Sequence, residues 1–324
     1  MKAACVSLAL AISVMSVSCS VNAAAPEDDG MTSPTFTIHL YPQGQDVDMG
    51  IVEDGVTVTL GPGDSNQIDT TEFFWDADGS LNNVSDSARV EIYLPERRNG
   101  QMIVVCPGGG YAELTYRGEG LYAARELTRR GYSVAVLCYR MPAGHHIIPL
   151  TDVQNAFRYC RRHAAEWGIH KIGVLGGSAG GHLAASASTL YVDDITRPDY
   201  TVLFYPAISS TDGMSTSTAR RLTAGDPELL EHYSLEKRVT SDTPPAILFH
   251  SLNDKTTDPE HSMRYCRALR AAGVHAELYC FPVGGHGWAF TTMETAGKDK
   301  LGEYRAVSSE LLYRFLESQK DWED

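Results

Sequence analysis

Gly176-Gly177-Ser178-Ala179-Gly180 is a G-x-S-x-G pentapeptide whose central serine has the chemistry of a nucleophile. A serine hydroxyl attacks a carbonyl only with help. It needs a base to take its proton, an acid to orient that base, and donors for the oxygen that becomes charged. The chain offers candidates for each. His286 stands among three glycines in Gly284-Gly285-His286-Gly287, which suits a mobile exposed loop better than a core. Asp254 lies in Ser251-Leu252-Asn253-Asp254, just beyond an apolar run. Asp258, followed by Pro259 and Glu260, is a second candidate acid whose other reading is a helix N-cap. Pro107-Gly108-Gly109-Gly110-Tyr111 leaves backbone amides without side-chain cover. Gly109 and Gly110, with Ala179 beside the serine, are therefore candidate oxyanion donors.

The elements that must position these residues follow from hydrophobic pattern. Ile172, Val174 and Leu175 form a short apolar run that reads as a buried parallel strand, and a helix is expected over 181–190. A serine between such a strand and helix sits on a strained turn that lifts its hydroxyl above the sheet. Apolar runs at 101–106, 246–250 and 275–281 read as the strands preceding the glycine loop, Asp254 and His286. Ser, Asp and His, in that order and each after its own strand, follow the α/β-hydrolase arrangement, unlike chymotrypsin or subtilisin. The expected fold is α/β, an α/β-hydrolase with a mostly parallel central sheet flanked by helices.

Further strands are expected at 35–41, 56–60, 88–94, 132–139 and 201–205, with loop over 61–87. Helices are expected at 118–130, at 151–167, at 259–272 and at 301–316. The second opens on a capping box, Thr151-Asp152-Val153-Gln154. The last turns Tyr304, Leu311 and Phe315 inward. Residues 206–242 break the strand-helix alternation, with one helix at 228–233. They read as a lid or substrate-shaping insertion between the sixth and seventh strands.

Other chemistries fit less well. A dinucleotide loop needs G-x-G-x-x-G, and Ser178 stands where a glycine is required. The chain has no G-x-x-x-x-G-K-[ST]. His145-His146 suggests a metal, but no Asp, Glu or third His lies at ligand spacing and no H-E-x-x-H occurs. The reading calls for no cofactor and no metal. A net charge of −14, with no basic cluster beyond pairs such as Arg97-Arg98, opposes nucleic acid and anionic membranes.

Residues 1–25 read as a signal peptide: Lys2, an apolar run over 3–17, then small residues. The run is too short and too serine-rich for a transmembrane span. Export, periplasmic or secreted, is expected, and Cys19 is a candidate for lipidation. Residues 26–34 read as a flexible leader and 35–320 as a single hydrolase domain. Cys106, Cys138, Cys160, Cys266 and Cys280 lack C-x-x-C spacing and read as buried small hydrophobes.

Over residues 88–316 the chain resembles secreted bacterial α/β-hydrolase carbohydrate esterases. These are the acetyl xylan esterase and feruloyl-esterase-like enzymes, related to the hormone-sensitive-lipase type. The resemblance rests on Pro107-Gly108-Gly109-Gly110-Tyr111, on GHHIIPLTD at 144–152, on GGSAGGHLA, on Thr243-Pro244-Pro245 and on GGHGW. It implies Ser178 as nucleophile, His286 as base and Asp254 as the Asp of an H-G-x-x-D segment. Here Ser251 replaces that glycine, and Asp254-Lys255-Thr256-Thr257-Asp258-Pro259 stands in place of D-D-x-V-V-P. Pro107 takes the place of the histidine in H-G-G-G. The implied activity is removal of acetyl, or feruloyl, groups from plant-type polysaccharide or oligosaccharide. The alternatives are a dipeptidyl-peptidase-like serine peptidase and a non-catalytic carbohydrate-binding protein of the same fold.

Overall fold

Runs such as QMIVVC and SVAVLC have no polar face to turn toward water, so both sides of each strand must be covered. In the computed structural model these runs are central strands of an eight-stranded sheet. Residues 33–40, 79–82, 84, 88–142 and 144–320 are described, with the backbone of short strands at 47–53, 56–60 and 74–75. The sheet strands are β1 (Phe36–His39), β2 (Arg89–Tyr93), β3 (Gln101–Cys106) and β4 (Ser133–Cys138), followed by β5 (Lys171–Gly177), β6 (Thr201–Phe204), β7 (Ala246–Ser251) and β8 (Ala276–Phe281). Every residue of β3, β4, β6 and β7 is buried.

The spatial order is β1-β2-β4-β3-β5-β6-β7-β8. β2 pairs antiparallel with both its neighbours, and the six strands from β4 to β8 are parallel. The order reverses at β3, which lies between β4 and β5. Ligands of open α/β sheets bind beyond the carboxyl ends of the strands at such a reversal. Here those ends carry the glycine loop and Ser178.

Helices cover the sheet: α1 (Tyr122–Thr128), α2 (Ile147–Trp167), α3 (Ser178–Thr189), α4 (Ser217–Thr223), α5 (Pro227–His232), α6 (Glu260–Ala271), α7 (Met293–Ala296) and α8 (Tyr304–Ser318). Among the described residues no helix is long and apolar enough to cross a membrane. The signal segment with Cys19, and residues 26–32 of the leader, lie outside the described residues.

Several expected boundaries move. α2 begins at Ile147, a turn before the expected capping box. The Thr151 hydroxyl donates back to the Ile147 carbonyl at 2.9 Å instead of capping, and Gln154 Nε2 donates to the Leu190 carbonyl. Pro149 is tolerated because an amide in a helix's first turn has no partner to lose. The helix expected at 118–130 starts as a π-helical turn, Tyr116–Leu121, before α1. The strand Val56–Leu60 exists, but it pairs with Val47–Glu53 outside the main sheet. The expected loop over 61–87 contains a two-residue strand pair, Phe74–Trp75 with Leu81–Asn82. The stretch 206–242 holds α4, α5 and a 3-10 turn at Leu235–Lys237 where one helix was expected. α8 starts at Tyr304 and buries Ser308, Leu312, Phe315 and Leu316, with Leu311 only half-buried. Four of the five cysteines are buried and Cys280 is half-buried; all five are free thiols.

Candidate active site

Register brings the candidate loops together. Cys106 at the end of β3 pairs with Gly176 of β5, so the glycine loop emerges beside the Ser178 turn. Phe204 pairs with Gly177 and with Phe249, and Ser251 with Phe281. The chain segments after β3, β5, β7 and β8 therefore leave one edge of the sheet side by side. This follows from parallel pairing alone, before any side chain is considered.

Ser178 is the first residue of α3 and has φ +54°, a left-handed conformation that costs a non-glycine residue about 1–3 kcal/mol. The flanking glycines make the turn possible. A Cβ on Gly176 would overlap the Gly180 carbonyl, and one on Gly180 would overlap the Cys106 carbonyl. Strand and helix therefore approach with only backbone between them.

The three side chains named from the sequence meet. His286 Nε2 lies 2.9 Å from Ser178 Oγ, and His286 Nδ1 lies 2.7 Å from Asp254 Oδ2. A carboxylate accepts only, so Nδ1 carries the hydrogen and Nε2 is left to accept from the serine. The other Asp254 oxygen accepts the amides of Thr256 (2.8 Å) and Thr257 (3.0 Å). Burial alone would raise the Asp254 pKa. The hydrogen bonds of His250, His286 and Thr257 and the His286 charge outweigh it and hold the carboxyl well below the usual range. Asp258 is exposed and accepts the Glu260 amide at 2.8 Å, opening α6 as a capping residue would. It is not part of the relay.

The glycine loop curls over the serine. Gly109 and Gly110 have φ of +123° and +67°, and Tyr111 follows at +56°. Among the described residues neither the Gly109 nor the Gly110 amide donates to another protein atom, so both remain available to a ligand. The Ala179 amide opens α3, where the helix dipole favours negative charge. The loop is anchored from below by the Tyr111 hydroxyl, which donates to His182 Nδ1 at 3.0 Å, while His182 Nε2 donates to the Tyr233 carbonyl. Burial pulls the His182 pKa down to about 4 against the opposing effect of that carbonyl. His146, one of the paired histidines, is the residue before α2, and its Nδ1 bonds the Tyr233 hydroxyl at 2.8 Å.

The structure adds four residues that the sequence did not single out. Glu119 is buried behind the glycine loop and accepts the Gly108 amide. Tyr205, at φ +38° just after β6, has its ring 4.7 Å from that of His286. Lys300 donates to the His286 carbonyl at 2.7 Å. Arg221, from α4 in the 206–242 insertion, donates to the Gly110 carbonyl at 3.1 Å. Their roles depend on neighbours far away in the chain, and no local pattern marks them.

The BD-FAE family model matches residues 90–196, and the prolyl oligopeptidase family model matches residues 147–304. An acetylxylan esterase of Xylanibacter ruminicola is 37% identical over 222 residues, covering 65% of this chain and 46% of that protein. Endo-1,4-beta-xylanase B of Butyrivibrio fibrisolvens is 33% identical over 220 residues, covering 62% of this chain and 34% of that protein. This chain thus spans less than half the length of either relative. The crystal structure of an acetyl ester-xyloside bifunctional hydrolase from Caldicellulosiruptor lactoaceticus superimposes with a TM-score of 0.65 at 27% identity, covering 89% of this chain and 98% of that one. Strand order and the structural likeness together give the chain an α/β-hydrolase fold, and its sequence is similar to that of an acetylxylan esterase.

Proposed function

We propose that the chain is a serine esterase that removes acetyl groups from acetylated xylan or its oligosaccharides through an acyl-enzyme. His286 takes the Ser178 proton as Oγ adds to the ester carbonyl, and Asp254 holds the imidazole and stabilises its charge. The amides of Ala179 and of Gly109 or Gly110 bind the oxyanion, each donor worth about 10²–10³ in rate. His286 then gives the proton to the departing sugar oxygen, which leaves as a hydroxyl, with acetyl left on Ser178. Water, deprotonated by the same imidazole, adds to the acyl-enzyme and releases acetate and free serine.

The observation that carries this reading is the continuous relay of 2.9 and 2.7 Å from Ser178 through His286 to Asp254. The acetyl group and the xylan backbone are supported by the two sequence relatives, one an acetylxylan esterase and the other a xylanase. The N-terminal sequence supports export, which suits a polymeric substrate outside the cell.

Acetate release from acetylated xylan by wild type, and its loss in Ser178→Ala, is the test. The prolyl oligopeptidase match covers the segment bearing all three relay residues, so a peptide anilide belongs in the same assay. Cleavage of the anilide without acetate release would reverse the choice between esterase and peptidase. No turnover of either substrate would leave a binding protein.

A further inference from the structure

A carboxyl group that touches none of the reacting atoms lies directly beneath the relay. Glu119 belongs to the π-helical turn after the glycine loop and is 7% exposed. Its Oε2 accepts the Gly108 amide at 2.7 Å and its Oε1 accepts the Tyr205 hydroxyl at 3.0 Å. Tyr205 Oη accepts the Ala289 amide at 3.1 Å, three residues beyond His286. A Cβ on Gly108, or on Gly177 before the serine, would lie 2.6 Å from Glu119 Oε2. The carboxyl therefore fills the space between the glycine loop and the strand end that delivers Ser178. Through Tyr205 it also reaches the loop that carries His286.

Burying a carboxyl is costly, and an apolar side chain of equal size would fill the same space more cheaply. Here the burial raises the Glu119 pKa, while the Gly108 amide, the His286 charge, the Tyr205 hydroxyl and the Lys300 charge oppose that rise. Tyr139 is a further titratable group facing it. His286 in turn faces Asp254, Tyr205 and Glu119, with Lys300 bound to its carbonyl.

We propose that Glu119 is a positioning residue for acyl transfer, setting the oxyanion amides through Gly108 and the height of His286 through Tyr205. Its carboxylate also favours the imidazolium that forms as Ser178 attacks. The inference rests on the proposed roles of Ser178 and His286.

The test compares full-length wild type, Glu119→Gln, Glu119→Asp, Tyr205→Phe and Ser178→Ala on p-nitrophenyl acetate across pH, with thermal unfolding in parallel. Glu119→Gln is expected to lower kcat about 10²-fold with KM within about twofold, as misplacement of reacting groups does. Loss of a carboxylate that favours imidazolium should move the acid limb of kcat/KM to lower pH. Glu119→Asp should restore the limb and not the full kcat. Tyr205→Phe should lower kcat about tenfold with the limb unmoved.

Wild-type kcat in Glu119→Gln and Tyr205→Phe, beside an inactive Ser178→Ala, would overturn the positioning role alone. So would losses that only track thermal destabilisation with the limb fixed. Activity retained in Ser178→Ala would remove the nucleophile reading, and this inference with it. If Glu119→Gln does not fold, Tyr205→Phe carries the decision.

Discussion

His250 and His286 grip the same carboxylate oxygen from two directions: Asp254 Oδ2 lies 2.7 Å from His286 Nδ1 and 3.5 Å from His250 Nε2. The His250 imidazole is fully buried, with Nε2 donating to the Thr257 carbonyl at 3.0 Å and Nδ1 bonded to Ser262 Oγ at 2.7 Å. Its ring thus lies behind Asp254 as Asp254 lies behind His286. His250→Gln is expected to lower kcat about tenfold while leaving KM nearly unchanged, because it loosens Asp254 without touching substrate. Steady-state kinetics on p-nitrophenyl acetate checks this. An unchanged kcat would mean the Thr256 and Thr257 amides hold Asp254 unaided.

Gly176→Ala tests the turn under Ser178. The added methyl would meet the Gly180 carbonyl, backbone that cannot rotate away. The expected loss exceeds about 4 kcal/mol, in the range of severe core disruptions. Chemical denaturation should show an unfolded or strongly weakened chain, whereas a stable, active variant would contradict the packing of β5 on α3.

Ser251 occupies the position where the resembled esterases have glycine, and it has found a use. Its hydroxyl donates to the Val283 carbonyl at 2.8 Å, tying the end of β7 to the loop that carries His286. Ser251→Gly should lose about 1 kcal/mol of stability, the net worth of one hydrogen bond. A fall in kcat of about threefold should accompany it as the loop loosens. A full restoration of both by no other change than added salt would speak against a hydrogen bond as the cause.

Acid should destabilise the fold through two buried histidines before it protonates Asp254. Burial pulls His182 and His261 down to about 4 from 6.5. Between those values the unfolded chain binds protons that the native chain excludes, so stability falls as pH drops from 6.5 toward 4 and levels off below. Each histidine contributes about 3 kcal/mol to that fall. Asp254, held low, adds a further loss once pH falls below the ordinary carboxylate range and through its folded value. Unfolding midpoints measured across this window should drop for wild type and drop by about half as much for His182→Asn. Parallel curves for the two proteins would contradict the assignment.

The relay could be read from the sequence because each member sits where a hydrophobic pattern stops. Ser178 interrupts a strand-to-helix junction, and Asp254 and His286 follow apolar runs that have few other interpretations. Asp258 showed its capping character in the same way, through Pro259 and Glu260. Glu119 gave no such sign: a charged residue in an amphipathic stretch ordinarily faces water, and only the packing of three distant loops turns it inward. Tyr205 looked like the last residue of a core strand. The Thr151 to Gln154 pattern matched a capping box, yet Thr151 uses its hydroxyl on Ile147 inside a longer helix. Val56–Leu60 alternates as a strand should, but alternation identifies a strand and not its partner, and this one pairs locally.

The most direct measurement is the mass of the intact chain quenched in acid during turnover of p-nitrophenyl acetate, followed by peptide mapping. One acetyl group is expected, carried by Ser178, absent from Ser178→Ala and formed far more slowly when His286 is replaced, because acylation loses its base. Steady turnover with no acetylated serine, or with the label on another residue, would contradict it.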